Sequence, residues 1–125
     1  RCRVEAGDFF VSVPTGGDLY LLKSVLHNWD DESCRRILAR CAEAMSAQSR
    51  LLVIERLRPD KPGHGPCDRE VARTDLNMLV SLSGRERSQR EFAQLLVDTG
   101  LSLKFARGTG SDWSVLEARR EPAYG

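Results

Sequence analysis

Apolar residues fall along the chain in two kinds of pattern. The segment 19–26 is a nearly unbroken apolar run, which is typical of a strand buried on both faces of a parallel sheet. A second short run, from Arg50 to Glu55, predicts another strand. Between the two runs, Asp30 and Asp31 are good helix caps, and the apolar residues after them predict a helix that ends near Ser46. Its helical spacing is carried by Cys34, Ile37, Leu38, Cys41, Ala42 and Met45.

The second half of the chain predicts two helices and two strands. After a loop rich in proline and glycine (RPDKPGHGP), the segment 67–82 has mixed periodicity and predicts a partly buried helix. Ser88 and Glu91 have the spacing of a capping box, and Gly100 is expected at the end of the helix they begin. Two strands, near 101–107 and 113–119, are separated by a connection short enough for an antiparallel pair. The order predicts an α/β fold whose sheet is mixed at one edge.

Composition adds limits rather than a function. The 125 residues are the size of one domain, and a net charge of +1 does not favour a nucleic-acid or membrane partner. The longest apolar run is far shorter than the roughly 18 residues that cross a bilayer, so a cytoplasmic location is the default expectation. The four cysteines form no CxxC pair and are expected to be reduced and mostly buried.

Polar residues with chemical potential cluster where the first two strands end. His27 and Glu55 follow buried runs, and ligands of open α/β sheets gather at the carboxyl ends of the strands. An imidazole there can act as a general base on a hydroxyl. From the periodicity alone, the better interpretation of His27 is a helix cap or a partner for a buried carbonyl. Trp29 could stack on a purine or pack in the core, and Lys23 could reach a ligand or lie along the core with its ammonium in water.

Several motifs together carry a more specific resemblance. In the order GDFF, LLKSVLHNW, LLVIE, DLNML and GRERS, the chain from Val4 to about Ala118 resembles the small-molecule O-methyltransferases that use S-adenosylmethionine. Within that family, it resembles the bacterial enzymes of natural-product biosynthesis more than the plant branch. The resemblance implies part of a Rossmann-like class I methyltransferase sheet, S-adenosylmethionine as cofactor, a small hydroxyl-bearing acceptor, no metal ion, and a homodimer in the full-length protein.

The resemblance also implies roles for individual residues. Asp8 and Phe9 would contact the adenine, Lys23 would lie along the nucleoside, and Trp29 would lie beside the adenine. His27 would be the general base, with Glu55 and Glu86 orienting its ring, and Asn77 and Met78 would line the acceptor pocket. Without the resemblance, Glu86 would be interpreted as a solvated charge between two arginines, and Met78 as ordinary helix core.

The sequence departs from the family pattern in two ways. Asn28 stands where many relatives have an aspartate, and the glycine-rich cofactor loop and the ribose-binding acid have no counterpart. We therefore expect residues 1–125 to form the C-terminal part of the catalytic domain of a longer enzyme. The family's strand order, 3-2-1-4-5-7-6, would make Cys2 to Val4 strand 3 without a partner, and would leave the run 19–26 as an exposed edge.

Two other classes of function stay open at this point. The chain could be a non-catalytic interaction module that pairs through the exposed strand edge. It could also be an unrelated α/β binding domain, although the sequence contains neither a G-x-G-x-x-G stretch nor a P-loop.

Overall fold

The secondary structure follows the predicted order of strands and helices. The computed structural model describes residues 1–60, Arg69, Arg73, Leu76 and 84–122. Its four strands form one sheet in the order β1-β2-β4-β3, with β1 and β2 parallel and the other neighbours antiparallel. The prediction of an α/β fold with a mixed sheet is confirmed, and the order corresponds to the 4-5-7-6 part of the family sheet. The strands are β1 (Leu19–Lys23), β2 (Arg50–Glu55), β3 (Leu101–Gly108) and β4 (Ser114–Arg120).

Two helices complete the core. Helix α1 (Asp31–Ala44) is capped at its N-terminus by Asp30, whose carboxylate accepts a hydrogen bond from the Ser33 backbone amide at 2.8 Å. Helix α2 (Gln89–Val97) begins with the predicted capping box, in which Ser88 and Glu91 each accept from the other's backbone amide. One buried cluster joins both helices to β2, β3 and β4. Its members include Ile37, Leu38, Leu51, Val53, Phe92, Leu96, Leu101 and Leu116.

Strand β1 is shorter and more exposed than its sequence predicts. It ends at Lys23 because Ser24 adopts a left-handed conformation (φ 58°), which an extended strand cannot contain. Leu19 and Leu21 are 47% and 55% exposed, so the expectation of burial on both faces is wrong. The reason is position: within the described residues, β1 has only β2 as a neighbour, as the predicted exposed edge requires.

Other expectations have mixed outcomes. Helix α1 ends at Ala44, two residues before the predicted end, because Met45 is extended. Cys34 and Cys41 are free and buried as expected, whereas Cys2 is exposed. The segment Cys2 to Val4 forms no strand.

Of the predicted helix 67–82, the structure describes Arg69, Arg73 and Leu76, which are all helical. Asn77 and Met78 lie outside the described residues. In the part of the chain that is described, no helix has the length and apolarity needed to cross a membrane.

Candidate functional site

The carboxyl ends of β1 and β2 bring His27 and Glu55 together. The strands are parallel, so they end on the same side of the sheet, and Lys23 pairs with Ile54 one residue before Glu55. The left-handed Ser24 turns the chain out of β1, and a short 3₁₀ helix, Leu26–Asn28, carries the histidine. The side-chain amide of Asn28 donates from Nδ2 to the Ser24 carbonyl at 3.2 Å, which fixes this turn.

His27 is held by the carboxylate of Glu55. The Nδ1 atom lies 2.7 Å from Oε2 of Glu55, and the His27 backbone amide donates to Oε1 at 3.4 Å. The Glu55 side chain is fully buried, while that of His27 is 15% exposed. The hydrogen bond to Glu55 raises the pKa of His27; burial opposes this effect, and the charges of Glu55 and Glu86 add to it. Since a carboxylate only accepts, Nδ1 carries the proton in the neutral imidazole, and in that form Nε2 has the free lone pair.

Glu86 is the third member of the cluster. It is only 2% exposed, so its interpretation as a solvated charge is wrong. One ring nitrogen of His27 and one carboxylate oxygen each from Glu55 and Glu86 all lie within 4.8 Å of one another. Nitrogen and carboxylate oxygen are also metal ligands, but a separation of 2.7 Å between Nδ1 and Oε2 is that of a direct hydrogen bond. The arrangement suits a polarised imidazole base.

The helix-cap interpretation of His27 is also wrong, because Asp30 caps α1. The turn that holds the histidine is instead bound by Arg87, which is fully buried. Its Nη1 donates to the Leu26 carbonyl at 3.0 Å, and its Nη2 donates to the Trp29 carbonyl at 2.8 Å. The same guanidinium pairs with Asp31 through Nε at 3.0 Å and Nη2 at 2.8 Å.

Gly84 packs directly on the backbone beside the histidine. A Cβ atom at this position would overlap the carbonyl oxygen of His27 and would lie 2.6 Å from the carbonyl carbon of Asn28. Only a residue without a side chain fits this contact. Sequence reasoning assigned no role to Gly84 or Arg87. The signal in the sequence was the GRERS motif, in which Gly84 lies two residues before Glu86 and Arg87 directly after it.

The residues expected near the adenine form an aromatic cluster. The Trp29 ring meets Phe10 edge to face at 4.9 Å between centroids, and it meets Phe9 at 6.1 Å. Asp8 shapes the turn before them, since its carboxylate accepts from the Phe10 amide at 2.9 Å. Trp29 also packs against the hydrophobic core, so the core interpretation of this residue holds as well.

A cavity of about 460 Å³ opens beside this cluster, within the roughly 300–1,000 Å³ usual for ligand pockets. Asp8 and Phe9 line it together with Tyr20, Leu21 and Leu22. His27, Glu55 and Glu86 do not line it, so the cavity and the base are separate features. They are connected through the contact of Phe9 with Trp29.

Lys23 lies apart from the aromatic cluster. Its ammonium sits 5.3 Å from the centroid of the Trp113 ring, and the Arg56 guanidinium lies 4.9 Å from the same ring. Lys23 is the last residue of β1, and Arg56 comes directly after the last residue of β2. Sequence reasoning did not identify Trp113 or Arg56, because the β3–β4 connection carries no motif. The structure thus brings Phe9 and Trp29 together and directs Lys23 to a different aromatic ring.

Comparisons with known proteins agree with the fold and with the motifs. A family model described as an O-methyltransferase domain matches residues 1–102. The mitomycin biosynthesis 6-O-methyltransferase of Streptomyces lavendulae is 43% identical over 121 residues, which are 96% of this chain and 33% of that protein. The crystal structure of LaPhzM superposes with a TM-score of 0.90 at 41% identity, covering 96% of this chain and 35% of that one.

A second solved structure contains ligands. The O-methyltransferase from neocarzinostatin biosynthesis, in complex with S-adenosylmethionine and 2-hydroxy-5-methyl naphthoic acid, has a TM-score of 0.82 and 36% identity over 94% of this chain and 33% of that one. The chain spans about a third of the length of the relatives it matches. Because the family model covers most of the chain and the fold agrees, this chain belongs to the O-methyltransferase domain family.

Proposed function

We propose that this chain is the base-bearing part of an O-methyltransferase that methylates a hydroxyl group of a small aromatic acceptor in natural-product biosynthesis. The observation that carries the proposal is the 2.7 Å hydrogen bond between Nδ1 of His27 and the buried carboxylate of Glu55. It orients the ring, fixes the tautomer and leaves Nε2 as the proton acceptor. The neighbouring structure in complex with 2-hydroxy-5-methyl naphthoic acid supports the acceptor class.

In the proposed reaction, His27 takes the proton from the acceptor hydroxyl as the oxygen becomes a nucleophile. S-adenosylmethionine, when bound, would supply the methyl group: the bond between its sulfonium sulfur and the methyl carbon would break as the new oxygen–carbon bond forms, with S-adenosylhomocysteine as the leaving group. The positive charge that develops on the imidazole faces two buried carboxylates, Glu55 and Glu86, which stabilise it. The remaining requirement is an in-line approach of the reacting atoms, which depends on positioning.

The cofactor contacts proposed for this chain are those of the adenosine side. The cavity beside Asp8 and Phe9 has a carboxylate and apolar walls, and the neighbouring Trp29 adds an aromatic edge, which fits a purine. Lys23 would have to leave the Trp113 ring to reach the nucleoside. The sequence contains no glycine-rich turn for the methionine end, so we propose that residues outside this chain supply it.

Further features implied by the resemblance stay predictions. These are the homodimer of the full-length enzyme, a cytoplasmic location, and the contribution of Asn77 and Met78 to the acceptor pocket. The assignment of residues 1–125 to the C-terminal part of the catalytic domain is a prediction of the same kind.

A hybrid enzyme tests the function. This chain would replace the matching third of the Streptomyces lavendulae mitomycin 6-O-methyltransferase, with the intact enzyme as control. We expect the hybrid to bind S-adenosylhomocysteine in calorimetry and to transfer a labelled methyl group from S-adenosylmethionine to phenolic acceptors. A folded hybrid that binds no S-adenosylhomocysteine and methylates none of a panel of aromatic hydroxyl compounds would contradict the proposal.

A second candidate function rests on the exposed edge of β1. Leu19 and Leu21 present an apolar strand whose outer side lacks a neighbour within the described residues, and such edges pair with other chains. In this alternative, the chain is an interaction module without catalysis. A stable dimer in sedimentation without affinity for S-adenosylhomocysteine in the hybrid would favour it, whereas a monomer would count against it.

A further inference from the structure

We propose that Arg87 and Gly84 are positioning residues for His27: they lock the backbone of residues 26–31, here called the base turn, so that the imidazole stays on Glu55 and Glu86. The inference deepens the proposed function and rests on it for its catalytic consequence. Its structural content, however, stands on the contacts of the base turn alone.

The guanidinium of Arg87 reaches both ends of the base turn. It donates to the carbonyls of Leu26 and Trp29, which flank His27 on either side. It also pairs with Asp31, where α1 begins. A buried arginine requires such partners; three of them lie in one six-residue segment, and a fourth, more distant acceptor is the Arg85 carbonyl at 3.4 Å. The side chain therefore fixes the segment that contains the base rather than a distant surface.

The backbone of Arg87 is anchored to the strand that supplies Glu55. Arg87 forms a parallel bridge with Leu57, and its carbonyl accepts from the Arg58 amide at 2.8 Å. Leu57 and Arg58 lie two and three residues after Glu55, which is the last residue of β2. One residue thus connects the turn that holds the base to the segment that holds its carboxylate partner. Glu86, immediately before it, takes its place in the cluster from the same anchor.

Gly84, three residues before Arg87, is a second constraint on the backbone of the base turn. Its backbone lies against the His27 carbonyl so closely that a methyl group has no room. Arg87 holds two carbonyls of the base turn by hydrogen bonds, and the backbone of Gly84 limits how far the turn can move. Together they fix the position of the His27 ring relative to Glu55 and Glu86.

Arginine is needed at position 87 for its shape as well as its charge. A guanidinium carries five N–H donors in a planar fork, and Arg87 uses that fork for two carbonyls and one carboxylate. Lysine keeps the charge beside Asp31, but one ammonium on a flexible stem cannot hold the same geometry. Arg87→Lys is therefore the variant that separates positioning from charge.

The first measurement is the titration of His27 by NMR. A His64→Asn background leaves one imidazole in the chain. In this background, we expect Arg87→Lys and Gly84→Ala to lower the pKa of His27, because the ring moves away from Glu55. The matched controls are Arg90→Lys, on an exposed arginine three residues later, and Gly108→Ala, where an added Cβ meets nothing within 4 Å. Both controls should titrate like the parent.

The second measurement is turnover in the hybrid enzyme. We expect Arg87→Lys and Gly84→Ala to lower kcat by about 10- to 100-fold, since displacing a reacting group by about 1 Å can cost that much. The KM for S-adenosylmethionine should change by less than about twofold, because neither residue is assigned to the cofactor. A merely stabilising role would lower the unfolding midpoint and leave kcat per folded molecule unchanged.

The outcomes separate the two proposals. A folded Arg87→Lys protein with parental kcat and parental His27 titration would overturn the positioning role. If that variant fails to fold, Gly84→Ala decides in the same way, because it leaves Arg87 in place. If the parental hybrid is inactive, the proposed function fails, and the NMR titration still decides whether Arg87 and Gly84 position the ring.

Discussion

The two ends of the candidate site differ in how completely this chain builds them. At the base corner, formed by the base turn, Glu55 and residues 84–87, buried charges lie within hydrogen-bond distance of partners that are distant in the sequence. Along the open edge, formed by β1 and residues 5–14, leucines face solvent and a cavity lies exposed beside the strand. The charges of the base corner are paired within the described residues, whereas the same residues leave the apolar side chains of the open edge exposed.

This difference separates two tasks of a methyltransferase. Proton removal needs a few groups held at fixed distances, and a short, densely bonded corner can supply them. Cofactor binding needs a larger enclosed surface, and under the proposed function the described residues that line the cavity along the open edge contribute part of it. Variants in the two regions should therefore fail in different ways.

The largest effect is expected for His27→Ala in the hybrid enzyme. Removing the base should lower kcat by about 100-fold or more, the usual contribution of general-base catalysis. Affinity for S-adenosylhomocysteine, measured by calorimetry, should be retained because the open edge is untouched. His64→Ala, on the chain's other histidine, is the matched control and should keep parental turnover. If kcat of His27→Ala stays within twofold of the parent, His27 is structural.

Glu55→Gln should have the next largest effect. It keeps the shape of the side chain but removes the charge that raises the pKa of His27, so kcat should fall by at least about tenfold. Glu43→Gln, on an exposed acid of α1, is the control.

The same variant predicts a change in the pH dependence of stability. Folding raises the pKa of His27 because of its hydrogen bond to Glu55. The stabilisation from the His27–Glu55 pair is therefore fully present below the ordinary histidine pKa of 6.5, and it is lost as the pH rises through the pKa of His27 in the folded protein. Urea unfolding of this chain from about pH 6 to about pH 9 should therefore show a loss of stability that is smaller in Glu55→Gln. Equal losses in both proteins would contradict the coupling.

A smaller effect is expected where the base corner continues into α2. Ser88→Ala removes the hydroxyl that accepts from the Glu91 amide, and it should lower the free energy of unfolding by about 1 kcal/mol. Gln89→Ala, at the exposed next residue, should change it by no more than about 0.5 kcal/mol. Urea denaturation distinguishes the two. Equal changes would show that the capping box does not stabilise this helix.

The smallest effect is expected at the open edge. Leu21→Ala should alter the free energy of unfolding by no more than about 0.5 kcal/mol, because the side chain is largely exposed. Leu51→Ala, on the neighbouring strand and fully buried, should cost about 2–5 kcal/mol. The Leu21 variant should also weaken any self-association seen in sedimentation. A large loss of stability would mean that the open edge is covered in solution.

Local patterns predicted most of the fold but little of the base corner. The RLLVIE strand has the predicted bounds, and the capping box at Ser88 is confirmed, because short-range spacing specifies both. The end of β1 was misplaced, since a left-handed serine carries no signal in an apolar run. The burial of Glu86 depends on partners distant in sequence, so only the family resemblance pointed to it. Arg87, whose partners are also distant in sequence, was assigned no role for the same reason.

The strand order has a consequence for how the site is assembled during folding. Strand β4, the last described strand in the sequence, inserts between β2 and β3 and pairs with β2 from Arg50 to Glu55. During synthesis, β2 therefore lacks its second neighbour, β4, until some sixty residues after Glu55 have been made. Glu55 is therefore among the last groups to gain its second neighbouring strand. Premature release before β4 would thus yield chains that contain His27, Glu55 and Glu86 but leave the β2 edge at Glu55 unpaired.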